Sequence, residues 1–104
     1  MKFVIAWTIR PGSTQEAVER FLRTGDPLPE GVKTIGRWHR IDLQSGIHLV
    51  ESNDSRALAQ YAAQWTDVLE LETYAVVEDA DAIDAYRKIT GVEALANAKA
   101  GQRI

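Results

Sequence analysis

The chain contains no cysteine, which removes disulfides, thiolate nucleophiles and cysteine-ligated zinc together. Histidine is scarce too: His39 and His48 are the only two. Long apolar runs are missing, and nothing approaches the ~18 residues that a membrane-spanning helix requires. The opening MKFVIAWTIRPG has too short an apolar run for a secretory leader and lacks a small-residue cleavage site. The expectation is a soluble cytoplasmic protein with no membrane partner. A basic balance is absent as well. The formal charge of -3 gives phosphates no cationic face to neutralise, so no nucleic-acid partner is expected. The GxGxxG, GxxxxGK[ST] and HExxH patterns do not occur, which leaves nucleotide and metalloprotease chemistry without support.

Basic residues are also missing locally. No Lys or Arg lies between Arg56 and Arg87, whereas Asp67, Glu70, Glu72, Glu78, Asp79, Asp81 and Asp84 all fall there. A block of this kind reads first as a solvated acidic face. Its second reading is an edge that meets the basic hairpin of another copy.

What remains is ordinary globular material. A length of 104 residues implies one domain with a thin core, since chains of this size bury only about two-thirds of their unfolded surface. Lys2 to Arg10 carries apolar residues on both alternating sets: Phe3, Ile5, Trp7 and Ile9 on one, Val4 and Ala6 on the other. That is a strand covered on both sides, hence central in a sheet. Pro11-Gly12 ends it, and Ser13-Thr14-Gln15-Glu16 has the form of a capping box. Ala17, Val18, Phe21 and Leu22 then form a helical stripe that Gly25 stops. The stretch DPLPEG at 26–31 is a connection of ordinary length.

Val32 to Ser52 follows as a hairpin, expected at the centre of the sheet, with Arg37, Trp38, His39, Arg40 and His48 on it. Asn53-Asp54-Ser55 starts a second helix, whose buried face is Leu58, Tyr61, Ala62 and Trp65. Val68 to Glu78 alternates as a fourth strand with one wetter face. Asp79 to Ile89 is a third helix, acidic in its first turn and basic in its last, as the helix dipole prefers. The tail from residue 91 to 104 is expected as a short helix or a frayed end.

The resulting β-α-β-β-α-β-α order predicts an α+β ferredoxin-like sandwich over residues 1–90, with helices on one face of an antiparallel sheet. Strand one is apolar toward both faces, so a second copy is expected to cover the free one and form a homodimer.

Three segments carry a family resemblance: PEGVKTIGRWH at 29–39, LVES at 49–52 and AAQWTDVLELE from Ala62 to Glu72. Together they resemble the bacterial family called Domain of Unknown Function 3303. The resemblance spans Lys2 to Asp84 and leaves Val92 to Ile104 outside. It implies membership of the dimeric α/β-barrel superfamily, which includes cofactor-free monooxygenases, haem-degrading enzymes, muconolactone isomerase-like proteins and proteins with no known activity. It implies a dimer on this fold, and it supplies no catalytic residues.

The site candidates come from the residues themselves. Trp7, Trp38 and Trp65 can line an apolar pocket for a planar ligand between sheet and helices, or serve only as core. Trp38 and His39 are strand neighbours and point to opposite faces. His39 and His48 are on one face if they pair directly, and on opposite faces if Ile41 pairs with Ile47; the latter sets Arg37 against Glu51. A metal would need Glu51 or Glu72 as a third ligand, and no metal or other cofactor is expected. Ser13, Ser45 and Ser55 are accounted for by helix starts and a turn, which leaves a Ser-His-Asp triad without a nucleophile. Glu70, Glu72 and Tyr74 share one strand face, either as an acid–base set or as a wet surface.

These features lead to three readings. One is a small homodimeric protein that binds a small, aromatic ligand. Another is a cofactor-independent, monooxygenase- or isomerase-like enzyme, with His39 or His48 as base and Arg37 or Tyr74 holding a developing oxyanion. The third is a structural or stress-associated dimer without ligand.

Overall fold

A computed structural model describes residues 1–91. The elements follow the order β1 (Lys2–Ile9), α1 (Thr14–Thr24), β2 (Val32–His39), β3 (Ser45–Ser52), α2 (Ser55–Ala63), β4 (Leu69–Val76) and α3 (Asp79–Thr90). The four strands form one antiparallel sheet in the order β2-β3-β1-β4. With the helical segments between β1 and β2 and between β3 and β4, this is the ferredoxin-like α+β fold with an added C-terminal helix. The tail expected as a short helix or frayed end lies outside the described residues, apart from Gly91, which closes α3 at φ 73.

Strand β1 is interior, as its doubly apolar pattern predicts. The hairpin is not the centre of the sheet, however, because β2 is an edge strand. Its register also matches neither expected pairing. Arg37 lies opposite His48, Trp38 opposite Ile47 and His39 opposite Gly46, with a bulge between Thr34 and Gly36. Lys33, not Arg37, faces Glu51.

Two local features account for this register. Residues 40–44 form a longer loop, closed by the Arg40 amide donating to Ser45 at 2.8 Å and the Leu43 amide donating to Arg40 at 2.8 Å. Asp42 holds that loop by accepting from Arg40 Nε at 2.8 Å and from the Gln44 amide at 3.1 Å. Gly46, meanwhile, leaves the space that the Trp7 ring occupies; a Cβ there would strike that ring and the Trp38 carbonyl. Because side-chain direction alternates along a strand, Arg37, His39 and His48 all share the helix-side face.

The helix ends show which sequence signals held. Gly25 takes the left-handed conformation, at φ 69, and ends α1 by donating to Phe21. Asp54 caps α2 by accepting from the Ala57 amide at 3.0 Å. The expected capping box at Ser13 does not form: its side chain makes no cap bond. Glu16 instead accepts from Arg20, which also reaches Asp67 at 2.6 Å. That ion pair ties α1 to the turn before β4.

The core is thin and lies on the helix side. Ile5, Val32, Val50, Ala57, Leu58 and Tyr61 form it, with Phe3, Leu28 and Leu71 packed alongside. Leu22, at the edge of the α1 stripe, remains 76% exposed, and α3 contributes no buried residue. No helix of the described residues is long and apolar enough to cross a membrane.

Candidate functional site

Between the sheet and the first two helices lies a cavity of about 230 Å³ that opens to solvent. Its walls come from five parts of the fold and from Asp26 in the loop after α1. Strand β1 supplies Ile5, Trp7 and Ile9, and β4 supplies Leu69 and Leu71. Helix α1 supplies Ala17, Val18 and Phe21, and α2 with the turn after it supplies Tyr61, Ala62 and Trp65. The hairpin adds Arg37, His39, Leu43 and His48. Walls of this kind are apolar and aromatic with a few polar groups, which is the usual chemistry of a small-molecule pocket.

The polar groups converge on Asp26. This residue follows Gly25 and itself has a positive φ of 51, an uncommon conformation for a side chain other than glycine that Asp and Asn tolerate best. Its carboxylate accepts from Arg37 Nη2 at 2.5 Å, from Trp65 Nε1 at 3.1 Å and from the Tyr61 hydroxyl. The carboxylate side is the deeper one: side-chain exposure is 8% for Asp26 and 21% for Arg37. Arg37 Nη2 also lies 3.3 Å from His48 Nε2 and 3.4 Å from His48 Nδ1, whereas Nε and Nη1 of Arg37 meet no acceptor among the described residues. Its guanidinium lies 5.4 Å over the Phe21 ring.

His48 completes the cluster. It is only 2% exposed, with Nε2 2.8 Å from Thr34 Oγ1 and Nδ1 3.4 Å from the Tyr61 hydroxyl. Burial, and then the nearby Arg37 charge, push its pKa down to about 4, against a smaller opposing pull from Asp26. The ring is therefore neutral at physiological pH. Burial and the neighbouring Asp26 carboxylate hold Tyr61 well above the usual phenol range, so its hydroxyl stays protonated and donates. His39 stands apart near the rim. Its ring packs edge-on to Trp7 at 5.2 Å and tilted to Phe21 at 6.0 Å, and it makes no side-chain hydrogen bond among the described residues.

The structure thus brings together five of the residues singled out in the sequence: Trp7, Trp65, Arg37, His39 and His48. It does not bring Trp38 or Tyr74 to them. Tyr74 pairs with Val4 on the outer face of the sheet and is 51% exposed. Trp38 is 56% exposed and borders a shallow outer groove with Ala6, Thr8 and Ile47. Glu70 and Glu72 follow the alternation of Tyr74 to that outer face. Among the described residues no group of His, Asp and Glu could hold a metal ion.

Two members of the cluster were missed by sequence reading. Asp26 sat in a stretch read only as a connection, and Tyr61 was counted as core. The available signal was the Tyr61 hydroxyl itself: a buried tyrosine requires a partner, and an acid just before a proline-punctuated loop can supply one.

A four-stranded antiparallel sheet with a pocket under its helices defines the class: a ferredoxin-like α+β domain with a small-molecule-sized cavity. The chain belongs to the family described as Domain of unknown function (DUF3303), whose model matches residues 1–90. No curated protein matches. One similar solved structure is that of Rv0793 from Mycobacterium tuberculosis, at 18% identity, covering 76% of this chain and 97% of that one, with a TM-score of 0.43. Similarity at this level bears on neither ligand nor assembly.

Proposed function

We propose that this protein is a small homodimeric binding protein that takes a planar, largely apolar molecule into the cavity under its helices. The observation that carries the reading is an internally paired polar cluster at the wall of an otherwise apolar cavity. Asp26, Arg37, Tyr61, Trp65 and His48 hold one another, so they are fixed before any ligand arrives. Preorganised polar groups orient a ligand without an ordering cost. The volume of about 230 Å³ lies just under the ~300–1,000 Å³ of drug-sized sites, which suits a molecule of one or two rings.

The dimer is supported by the outer face of the sheet. Ile47, Trp38 and Tyr74 are exposed there, beside half-buried Val4, Ala6 and Leu49. Glu70 and Glu72 lie toward the β4 edge and Lys33 toward the β2 edge. A two-fold copy would set acid against base across such a face.

A second reading, the cofactor-independent monooxygenase- or isomerase-like enzyme, draws on His39. It is the cavity imidazole with no hydrogen bond among the described residues, and so the one available to accept a proton from a bound molecule.

Thermal-shift screening against one- and two-ring aromatic compounds, with sizing in parallel, tests both. Stabilisation that disappears in Trp65→Ala supports the binding site. A screen without stabilisation by any compound overturns it. Turnover of a binding compound, abolished by His39→Asn with binding intact, would move the assignment to the enzyme.

A further inference from the structure

Resting on the pocket as the binding site, we infer that Asp26 sets the charge of the ligand. The cavity takes an aromatic molecule with an uncharged oxygen, a phenol or an aryl ketone, and rejects the corresponding carboxylate. Arg37 is the one Arg or Lys among the lining residues, and an anionic ligand would have to be held by it. That charge is already matched. Asp26 lies 2.5 Å from Nη2 and is the more deeply buried of the two side chains. The Tyr61 hydroxyl and Trp65 Nε1 also donate to the same carboxylate, so swinging it aside would take a partner from buried Tyr61 and from half-buried Trp65. His39 and His48 are the other titratable groups on the wall, and the buried His48 ring is neutral.

The Arg37–Asp26 pair therefore carries no net charge before the ligand enters. A carboxylate would lose its hydration and meet a second carboxylate across a cation already in use. A hydroxyl or carbonyl oxygen loses far less on entering. It finds Arg37, whose Nε and Nη1 meet no acceptor among the described residues, and rings of Trp7, Phe21 and Trp65 to pack on. Charge rejection here is built from an unfavourable contact, not from missing space.

The matched pair β-naphthol and β-naphthoate, titrated into the full chain at neutral pH and followed by calorimetry, tests this. The expected result is β-naphthol binding at least about tenfold tighter than β-naphthoate. Asp26→Asn keeps the shape and releases the Arg37 charge, and should strengthen β-naphthoate about tenfold or more. Asp26→Asn combined with Arg37→Gln should abolish that gain, with circular dichroism showing both variants folded. Should Asp26→Asn fail to fold, the wild-type pair alone decides. β-Naphthoate binding the wild type as well as β-naphthol overturns the charge inference and leaves the pocket standing. An unchanged preference in folded Asp26→Asn removes Asp26 from the role. If neither probe binds the wild type, the pocket reading fails, and this inference with it.

Discussion

The two faces of the sheet differ more than any other two regions of the molecule. The helix side holds every member of the buried core together with a paired polar cluster. The outer side mixes charged residues with uncovered apolar ones, with Trp38, Ile47 and Tyr74 each about half exposed. The same strands build both, since alternate residues of β1 and β3 go to opposite sides. Stability of the single chain therefore resides on one side, and any energy of self-association on the other. Substitutions should separate the two.

Leu58→Ala should have the largest effect. Leu58 is 5% exposed within the core, and truncation there costs about 3 kcal/mol, read as a lower urea midpoint. The same change at outer-face Ile47, 44% exposed, should barely move the unfolding of the isolated chain. Equal losses at the two positions would erase the distinction between the faces.

The next effect is a pH dependence that belongs to the inner face alone. His48 has a folded pKa pushed down to about 4 against about 6.5 in the unfolded chain. The unfolded state thus binds the proton first as pH falls. The stability contributed by neutral, buried His48 is complete above about pH 6.5 and is lost progressively toward pH 4. Between about pH 7 and pH 5 the wild type should lose about 2 kcal/mol more than His48→Gln. Parallel pH profiles for the two proteins would remove His48 from this role.

Trp38→Glu sharpens the outer side. It should weaken self-association at least about tenfold in sedimentation equilibrium, with β-naphthol affinity unchanged. A wild type that sediments as a monomer at every concentration would dispose of the dimer. Gly46→Ala differs in kind, reaching both sides at once at a cost of about 2 kcal/mol or more. The added methyl presses on the Trp7 ring and the Trp38 carbonyl, so tryptophan fluorescence and ligand affinity should change together.

Much of this architecture is legible in the residues, because its signals are local. Element order follows from periodicity, and the ends of α1 and α2 follow from Gly25 and Asp54. Where two local preferences compete, the sequence is less informative. Ser13 precedes a glutamate in capping-box spacing, yet Glu16 is drawn to Arg20, which is fixed by Asp67 far along the chain. The hairpin register depends on a bulge near Ile35 and on space above Gly46 for a tryptophan from another strand; neither is a property of the hairpin alone. The site divides in the same way. Trp7, Trp65, Arg37, His39 and His48 announce themselves by residue type. Asp26 does not, because its partners Arg37, Tyr61 and Trp65 lie 11, 35 and 39 residues away and meet it only in the folded chain.

The backbone at position 26, with its φ of 51, restricts how this pocket can diversify. Residues with branched or bulky side chains are disfavoured there, and glycine or asparagine are the natural replacements. Both are neutral. On the proposed charge rule, either replacement would open the pocket to acidic guests.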